Sequence, residues 1–407
     1  MKKDRIPVAA TFSKDARFWT KDFEPYCFTG ASTENRVIGI DGKQYLDWVS
    51  GLGANLLGYG KEFNGFSQYV NMWIRKGVSF SLPHMLEYQV AEKLTDLLSN
   101  YVPGWKTEHL QVRWVKDGSG ACDAAVRLAR AVTGKEVVTS SGYHGWHETF
   151  VAATPPAHGI AQNLRQAIKT FEFNKYTNLS KYEDIACVIT EQGADEPNSD
   201  WYPALQWFCD NKSCLLIMDE VVTGLRYARG GACEKYNVKP DLVCIGKALG
   251  NGFPLAALVG PKRYMDWFAR EDPVFVSSTN AGDVASLAAA DYMLDFIQDG
   301  KYLEHIYRVG QALITELRST GWQVIGNEPR SVIVFESDAQ KAYFVARMRD
   351  HGILMNRPNF PTMAHTVDDA KLTGIAAWQV KDEWDKLSAE AIEKWQQMAP
   401  VVLFRQR

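Results

Sequence analysis

Short apolar runs, separated by stretches with helical periodicity, restrict the fold of this 407-residue chain more than any other feature. The runs are Leu110–Val115, Val137–Ser140, Ile185–Thr190, Leu215–Met218 and Leu242–Ile245. Helical patterns cover Met85–Leu98, Ala121–Val132 and Ala285–Gln298. Apolar strands of this kind, alternating with helices, are typical of buried parallel strands in an α/β sheet. The sequence therefore predicts an α/β fold.

The two ends of the chain predict a second, smaller domain. Gly39–Trp48 alternates around an Asp41-Gly42 turn, as a β-hairpin does. The C-terminal part mixes short segments with a final helix at Ala389–Gln397. Because 407 residues exceed the usual size of one core, we expect a large domain over 49–285 and a small α+β domain over 286–407. Residues 1–48 are expected to contribute to the small domain.

Composition excludes several classes of partner and location. A net charge of −3 gives no electrostatic basis for binding nucleic acid or an acidic membrane. No segment reaches the roughly 18 apolar residues of a spanning helix, and the N-terminus lacks the apolar stretch of a signal peptide. The cysteines are odd in number and lack CxxC spacing, so we expect free, mostly buried thiols in a cytoplasmic protein. They are Cys27, Cys122, Cys187, Cys209, Cys214, Cys233 and Cys244.

The first candidate site is the small-residue turn Lys116-Asp-Gly118-Ser119-Gly120, between a predicted strand and helix. Ligands of open α/β sheets gather at the carboxyl ends of the strands. A turn of small residues at a helix N-terminus offers free backbone N–H groups and a favourable dipole for a phosphate. The turn is also compatible with a simpler role in which Ser119 only caps the helix.

The second candidate is the strand Leu216-Ile-Met-Asp219-Glu220, which ends in two acids. A carboxylate at this position either caps the following helix or holds a cationic group, since a buried carboxylate needs a positive partner. The sequence leaves both roles open.

The third candidate is Lys247, which follows the strand at 242–245 and lies among glycines in Gly246-Lys-Ala-Leu-Gly-Asn-Gly252. A lysine among small residues can lose hydration, acquire a lowered pKa and form a Schiff base with an aldehyde; the alternative is an ordinary solvated lysine. The segment is not a nucleotide-binding P-loop, because Asp241 replaces the first glycine and Ala248 the Ser/Thr.

Together the three segments supply what pyridoxal 5′-phosphate (PLP) requires from a protein. These are a phosphate cradle, an acid for the pyridine nitrogen and a lysine for the aldehyde. A protonated ring nitrogen lets the ring accept electrons when a substrate Cα–H bond breaks, and the lysine can then move that proton. A non-catalytic protein of the same fold is expected to have lost Lys247 or Asp219.

Longer motifs in these segments resemble the class III aminotransferases, and within them the glutamate-1-semialdehyde aminomutase-like branch. The motifs are Met218-Asp-Glu-Val-Val-Thr-Gly-Leu-Arg226, Tyr236-Asn-Val-Lys-Pro-Asp241-Leu, Gly246–Pro254, Asp41–Asp47, Arg127–Gly134, Tyr143-His-Gly145 and Ala364-His-Thr366. The resemblance implies PLP fold type I, like aspartate aminotransferase. This fold has a large domain with a mainly parallel seven-stranded sheet and a small α+β domain.

The resemblance also implies a role for each matching residue. Lys247 matches the Schiff-base lysine and Asp219 the partner of the pyridine nitrogen. Val221 and Tyr143 are expected on opposite faces of the ring, and an aromatic side chain stacks well there. Gly118 and Ser119 match the family's phosphate loop. Glu191 matches an acid beside the cofactor; the alternative is that Glu191 is a simple cap. Thr279 matches a threonine that reaches the neighbouring subunit's phosphate, which implies a homodimer with shared sites.

Several departures from the family limit what can be said of the substrate. Gly120 occupies a position where the family usually has an acidic residue. At position 222 the chain has valine, as in the mutase-like branch and unlike many ω-amino-acid transaminases. The segment between Tyr143-His-Gly145 and Tyr176-Thr-Asn178 is shorter than the mutase's mobile lid. Asn356–Pro361 runs almost directly into Met363-Ala-His-Thr366, so the mutase's longer loop, with its substrate-contacting glutamate, has no counterpart.

These departures favour intermolecular transamination between an amino donor and a keto or aldehyde acceptor. An aminomutase must retain its intermediate through two half-reactions, which a lid assists. Glutamate-1-semialdehyde 2,1-aminomutase activity remains the alternative. Arg357 either binds an acidic group of the substrate or is a solvated loop arginine. No metal is expected, since His144 and His147 lack accompanying ligands at metal-binding spacing; His144 is expected to support the turn that presents Tyr143.

Overall fold

The computed structural model describes residues 14, 16, 19–59, 65–153 and 158–399, which form two compact units. Unit 1 joins the described residues up to 59 to those from Glu304 onward, and unit 2 is the stretch from 65 to Leu303. Among these residues no helix is both long and apolar enough to cross a membrane.

The elements alternate along the chain as the apolar pattern predicts. The strands are β1 (Phe28–Thr33), β2 (Arg36–Gly39), β3 (Gln44–Asp47), β4 (Leu110–Val115), β5 (Val137–Ser141), β6 (Ile168–Thr170), β7 (Ile185–Glu191), β8 (Leu215–Glu220), β9 (Leu242–Ile245), β10 (Ala256–Pro261), β11 (Gln323–Asn327), β12 (Arg330–Val334), β13 (Ile353–Leu354) and β14 (Pro358–Asn359). The helices are α1 (Ser50–Gly53), α2 (Phe66–Ile74), α3 (Met85–Tyr101), α4 (Gly118–Thr133), α5 (Glu148–Val151), α6 (Gln162–Gln166), α7 (Trp201–Lys212), α8 (Gly231–Lys235), α9 (Lys262–Met265), α10 (Val284–Phe296), α11 (Lys301–Ser319), α12 (Asp338–Asp350), α13 (Val367–Asp385) and α14 (Ala389–Gln397). Short 3₁₀ helices cover Thr177–Lys181, Lys247–Gly250 and Asp266–Phe268.

Unit 2 is built on a seven-stranded sheet in the order β4-β10-β9-β8-β7-β5-β6. Its strands run parallel except β10, which is antiparallel to both β4 and β9. Every residue of β7 and β8 is buried, which explains why these strands read as continuous apolar runs. The mainly parallel seven-stranded sheet of the prediction is confirmed.

The sheet places the ends of three parallel strands at one edge. In the register of β7 with β8, Glu191 lies beside Asp219. In the register of β8 with β9, Glu220 lies beside Ile245, and Lys247 follows two residues later. Parallel pairing therefore brings the acids and the lysine of the sequence motifs to the same side of unit 2.

Unit 1 contains two small sheets, β1-β2-β3-β13 and β11-β12-β14. The predicted hairpin is confirmed, since β2 and β3 pair in antiparallel fashion around a turn where Gly42 adopts a φ of 78°. Helices from the C-terminal part cover a core that includes Trp48, Trp322 and Phe344. Residues from both ends of the chain thus share one core.

The predicted domain boundaries follow residues 48 and 285. Both boundaries between the observed units lie later in the chain. Residues beyond 48 stay with unit 1 because Ser50 Oγ donates to the Phe360 carbonyl at 2.9 Å and Met363 N donates to the Leu56 carbonyl at 2.9 Å. Helix α10 stays with unit 2 because it packs on α2 and α3. Hydrogen bonds and helix packing set these limits, and neither is visible in a local pattern.

Candidate active site

Asp219 lies at the end of β8, and every contact of its carboxylate is with a donor. Its Oδ1 accepts a hydrogen bond from Val221 N at 3.0 Å, and its Oδ2 accepts one from His144 Nδ1 at 2.7 Å. Cys122 Sγ also lies 3.4 Å from Oδ2. Asp219 is buried, so these contacts replace the hydration that burial removes.

His144 is the cationic partner of Asp219, a role that the sequence analysis missed. Its ring is fully buried, with Nδ1 facing the Asp219 carboxylate and Nε2 facing the Ser141 carbonyl oxygen at 3.1 Å. Because both ring nitrogens face acceptors, both carry hydrogen and the ring is an imidazolium. Burial is the largest single influence and lowers the pKa of His144, but the hydrogen bonds and charges of Asp219 and Cys122 together raise this pKa to about 10.

Cys122, His144 and Asp219 form a buried group whose potential metal-ligating atoms lie within 4.8 Å of one another. A histidine binds a metal through a nitrogen lone pair. Neither nitrogen of His144 has one, since both donate hydrogen bonds. The chemistry of this group is therefore that of an ion pair.

Glu220, the second acid of β8, accepts hydrogen bonds from the backbone of α8. Its carboxylate accepts hydrogen bonds from Ala232 N at 2.9 Å and Cys233 N at 2.7 Å, and Thr223 Oγ1 also donates to it. Burial raises the pKa of Glu220. Of the two adjacent acids, only Asp219 is turned toward the edge where the other candidates meet.

The turn before α4 is the phosphate cradle that the sequence predicts. The helix starts at Gly118, three residues earlier than predicted, and its N-cap is Asp117 rather than Ser119, since Asp117 Oδ1 accepts from Gly120 N at 2.7 Å. Ser119 is instead buried, and its Oγ accepts from Trp146 N at 3.3 Å. A helix of this length carries a substantial dipole toward its N-terminus.

Val221 packs directly against this cradle. A Cβ added to Gly118 would lie 2.7 Å from Val221 Cγ1, too close for any other residue type without movement. The strand end of β8 and the helix start of α4 are therefore in contact, and glycine at 118 makes the approach possible.

Tyr143 and Glu191 are joined at the same edge. Tyr143 N donates to Glu191 Oε2 at 3.2 Å, so Glu191 holds the turn that follows β5. The Tyr143 side chain keeps 43% of its surface exposed, which leaves its ring accessible to a ligand. Burial of the hydroxyl and the charge of Glu191 raise the pKa of Tyr143.

Lys247 begins the 3₁₀ helix after β9 and has a left-handed φ of 44°. Strained backbone at non-glycine residues is concentrated at functional sites, where the surrounding structure imposes it. Here Gly246 allows close packing, since a Cβ added to it would lie 3.1 Å from Ala256 Cβ. The chain is thus bent so that a partly buried lysine follows the strand directly.

Thr279 makes no link to the other predicted site residues within the described part of the chain. It is exposed in the turn between the 3₁₀ helix Asp266–Phe268 and α10. No hydrogen bond within the described residues links it to Ser119, Asp219 or Lys247.

Comparisons with known proteins identify the family of the chain. The model of the family described as Aminotransferase class-III matches residues 20–368. Two relatives are glutamate-1-semialdehyde 2,1-aminomutases. The one from Desulforamulus reducens is 28% identical over 86% of this chain and 89% of its own. The one from Halorubrum lacusprofundi is 30% identical over 74% and 72%.

Solved structures give the same fold. The FumI protein of Sphingopyxis sp. MTA144, in its PLP internal aldimine form, is 25% identical with a TM-score of 0.83, over 92% of this chain and 93% of that one. An omega-transaminase from Sphaerobacter thermophilus is 20% identical with a TM-score of 0.79, over 88% and 92%. The family match and the fold together show a PLP-dependent enzyme that acts on small molecules. The chain belongs to the class III aminotransferases of PLP fold type I.

Proposed function

We propose that this enzyme is a transaminase that passes an amino group between two separate molecules, an amino donor and a keto or aldehyde acceptor. The observation that carries the proposal is the short connection after β14. Thr362 N and Oγ1 lie 3.2 Å and 2.8 Å from His365 Nδ1, so the chain closes in a tight turn before α13. The segment 356–366 contains no counterpart of the glutamate-bearing loop of the mutase.

The shortness in sequence of the segment between Tyr143-His-Gly145 and Tyr176-Thr-Asn178 supports the same proposal. An aminomutase keeps its reaction intermediate between two half-reactions, which a closing lid assists, whereas a transaminase releases its first product and admits a second substrate. Four residues of the shortened segment, 154–157, lie outside the described residues. Glutamate-1-semialdehyde 2,1-aminomutase remains the second candidate, because several relatives carry that name.

The residues at the strand edge fit PLP by charge and by shape. When bound, PLP supplies an aldehyde carbon that reacts with amines and a pyridinium ring that accepts electrons. Asp219, paired with His144, is suited to accept a hydrogen bond from the pyridinium N–H. The cradle at Gly118 and Ser119 is suited to the phosphate, and Val221 and Tyr143 to the two ring faces.

Lys247 is proposed as both the attachment point and the proton carrier. Its Nζ, on a fixed and partly buried backbone, would hold the cofactor covalently and move the proton of the substrate Cα. Glu191 would fix the turn that carries Tyr143, consistent with its hydrogen bond to Tyr143 N.

We further propose a cytoplasmic homodimer in which Thr279 contributes to the partner's site. Exposed apolar residues in unit 2 support an interface, since patches of this kind mark sites of association; they include Phe80, Leu82, Met85 and Tyr88. All seven cysteines are free and six are buried, as expected in a reducing compartment.

The test is to incubate the yellow holoenzyme with a panel of amines and follow its absorbance. We expect simple donors to convert the cofactor to its pyridoxamine form, and a keto acid to restore it. Conversion of glutamate-1-semialdehyde to 5-aminolevulinate without any co-substrate would instead identify an aminomutase.

A further inference from the structure

Cys122 lies one turn inside α4, on the same face of the helix as Gly118. A Cβ on Gly118 would meet Val221 after β8, so this face of the helix is turned toward the end of that strand. Cys122 is fully buried there, and its Sγ lies 3.4 Å from Asp219 Oδ2. The proposed function assigns no role to this thiol.

The simplest role for a buried cysteine is packing, since a free thiol behaves as a small apolar side chain. Cys122 belongs to an apolar core of unit 2 that also contains Cys187. Packing explains the burial of Cys122, but it does not explain a carboxylate oxygen beside the sulfur. An apolar group gains nothing from a charged neighbour, whereas a thiol can donate a weak hydrogen bond to it.

The thiol of Cys122 keeps its hydrogen in the folded enzyme. Burial above all, together with Cys244 and the negative charge of Asp219, raises the pKa of Cys122 well above its usual range, and a hydrogen bond with His144 opposes this only in part. A protonated thiol beside a carboxylate is the donor, and the carboxylate oxygen is the acceptor. The contact between Cys122 and Asp219 is therefore attractive.

The contacts of Asp219 leave its two oxygens unequal. A carboxylate offers about four acceptor sites, shared between its two oxygens. His144 Nδ1 at 2.7 Å and Cys122 Sγ at 3.4 Å take both sites of Oδ2. Val221 N at 3.0 Å takes one site of Oδ1. Within the described residues, the remaining acceptor site of Asp219 is therefore on Oδ1.

We propose that Cys122 is a positioning residue, which orients the Asp219 carboxylate by donating its S–H to Oδ2. With Oδ2 filled, Oδ1 is the oxygen left to accept a ring N–H. An acceptor that is already oriented loses less entropy when its ligand binds. This inference rests on the proposed pairing of Asp219 with the pyridine nitrogen and adds a residue that fixes the geometry of that pairing.

Infrared spectroscopy of the cofactor-free protein tests the hydrogen bond itself. The S–H stretch falls in a region where other protein groups do not absorb, and it shifts to lower frequency when the S–H donates to a carboxylate. The difference between the spectra of wild type and Cys122→Ala should contain one such shifted band. A band at the frequency of a free thiol would overturn the proposal.

The affinity for PLP, measured by absorbance titration of the cofactor-free protein, separates orientation from packing. Cys122→Ala should raise the Kd about fivefold, because it removes one weak hydrogen bond to a charge. Cys122→Ser keeps a donor and should stay within about twofold of the wild type. If the thiol only packs, this order reverses, because serine buries a polar hydroxyl whereas alanine stays apolar. The reversed order would contradict the proposal.

Cys187→Ala is the matched control. Cys187 is fully buried in the same core, but it pairs with Leu215 at the start of β8 rather than with the end of that strand. Its removal should change the Kd by less than about twofold. An equal rise in Kd for the two alanine variants would show a general packing effect and refute the role of Cys122.

Asp219→Asn tests the pairing on which the inference rests. This variant should bind PLP more weakly than Cys122→Ala does, since the neutral amide loses the charge that attracts the pyridinium. If Asp219→Asn binds PLP as tightly as the wild type, the proposed pairing of Asp219 with the ring is wrong, and so is the role of Oδ1. The infrared band distinguishes that failure, because it reports the contact of Cys122 without any cofactor.

Discussion

The ion pair of His144 and Asp219 defines the electrostatics of the candidate site at the scale of single residues. A buried carboxylate needs a positive partner. The imidazolium of His144 supplies one to Asp219 at 2.7 Å. His144 is in turn fixed by the Ser141 carbonyl at 3.1 Å, so its orientation does not depend on a ligand.

This pair predicts a defined pH dependence of stability. The pKa of His144 is raised from 6.5 to about 10 in the folded enzyme, so the stabilisation is complete below pH 6.5 and is lost as pH rises toward 10. We expect a loss of a few kcal/mol, since each pKa unit corresponds to about 1.4 kcal/mol.

The measurement is urea unfolding of wild type and His144→Gln at several pH values. The difference between their midpoints should be largest at low pH and shrink between pH 6.5 and 10. A difference that does not change with pH would show that His144 is neutral in the folded enzyme.

The sequence identifies the residue types at the site, but it does not identify which residues they contact. Asp219 and Lys247 stand at strand ends, and the parallel sheet brings those ends together. The sequence indicates only a turn-supporting role for His144, because its partner Asp219 lies 75 residues away. The position of His144 after β5, at the same sheet edge as Asp219, is the feature from which the pairing could be predicted.

At the scale of elements, the contact between α4 and the end of β8 positions the cradle. Gly118 opens the helix, and Val221 follows the strand and packs against it. The same contact would position the predicted phosphate cradle relative to the ring face expected beside Val221.

Gly118→Ala should therefore weaken both folding and cofactor retention. The new methyl would lie 2.7 Å from Val221 Cγ1, and such overpacking typically destabilises a protein by about 1–3 kcal/mol. We expect PLP to dissociate about tenfold more readily, measured by dialysis and absorbance.

Gly193→Ala is the control, because a Cβ added there meets nothing within 4 Å. It should change stability by less than about 0.5 kcal/mol. Adding Val221→Ala to Gly118→Ala should restore part of the lost stability. Equal stability of Gly118→Ala and Gly193→Ala would refute the close packing.

Strands with continuous apolar runs were predictable, and the antiparallel strand was not. The range Leu110–Val115 of β4 and the range Leu242–Ile245 of β9 match their predictions. The strand β10 (Ala256–Pro261) lies between them in the sheet, and it contains the small residues Ala256, Ala257 and Gly260. Small residues carry little strand propensity, and only tertiary pairing with β4 and β9 makes this segment a strand.

At the scale of the whole molecule, the exposed apolar residues around α3 predict a dimer. Leu82 is 80% exposed, which is unfavourable for a large aliphatic side chain in water. Leu82→Glu should weaken dimerisation about tenfold or more, because the interface would bury an unpaired charge.

Trp207→Gln is the matched control, since Trp207 is 67% exposed on α7, away from that cluster in sequence. Sedimentation over a range of concentrations should show dimers for wild type and Trp207→Gln, and monomers at low concentration for Leu82→Glu. Identical behaviour of the three proteins would argue against an interface at Leu82.

We propose that Lys247 carries the cofactor covalently, and chemical reduction followed by peptide mapping tests this directly. Borohydride reduction of the holoenzyme makes the bond between lysine and cofactor permanent, and peptide mass spectrometry then locates it. We predict the label on the peptide that contains Lys247. In Lys247→Ala, PLP should still bind through the other contacts without any covalent label. A label on another lysine, or none in the wild type, would contradict the account.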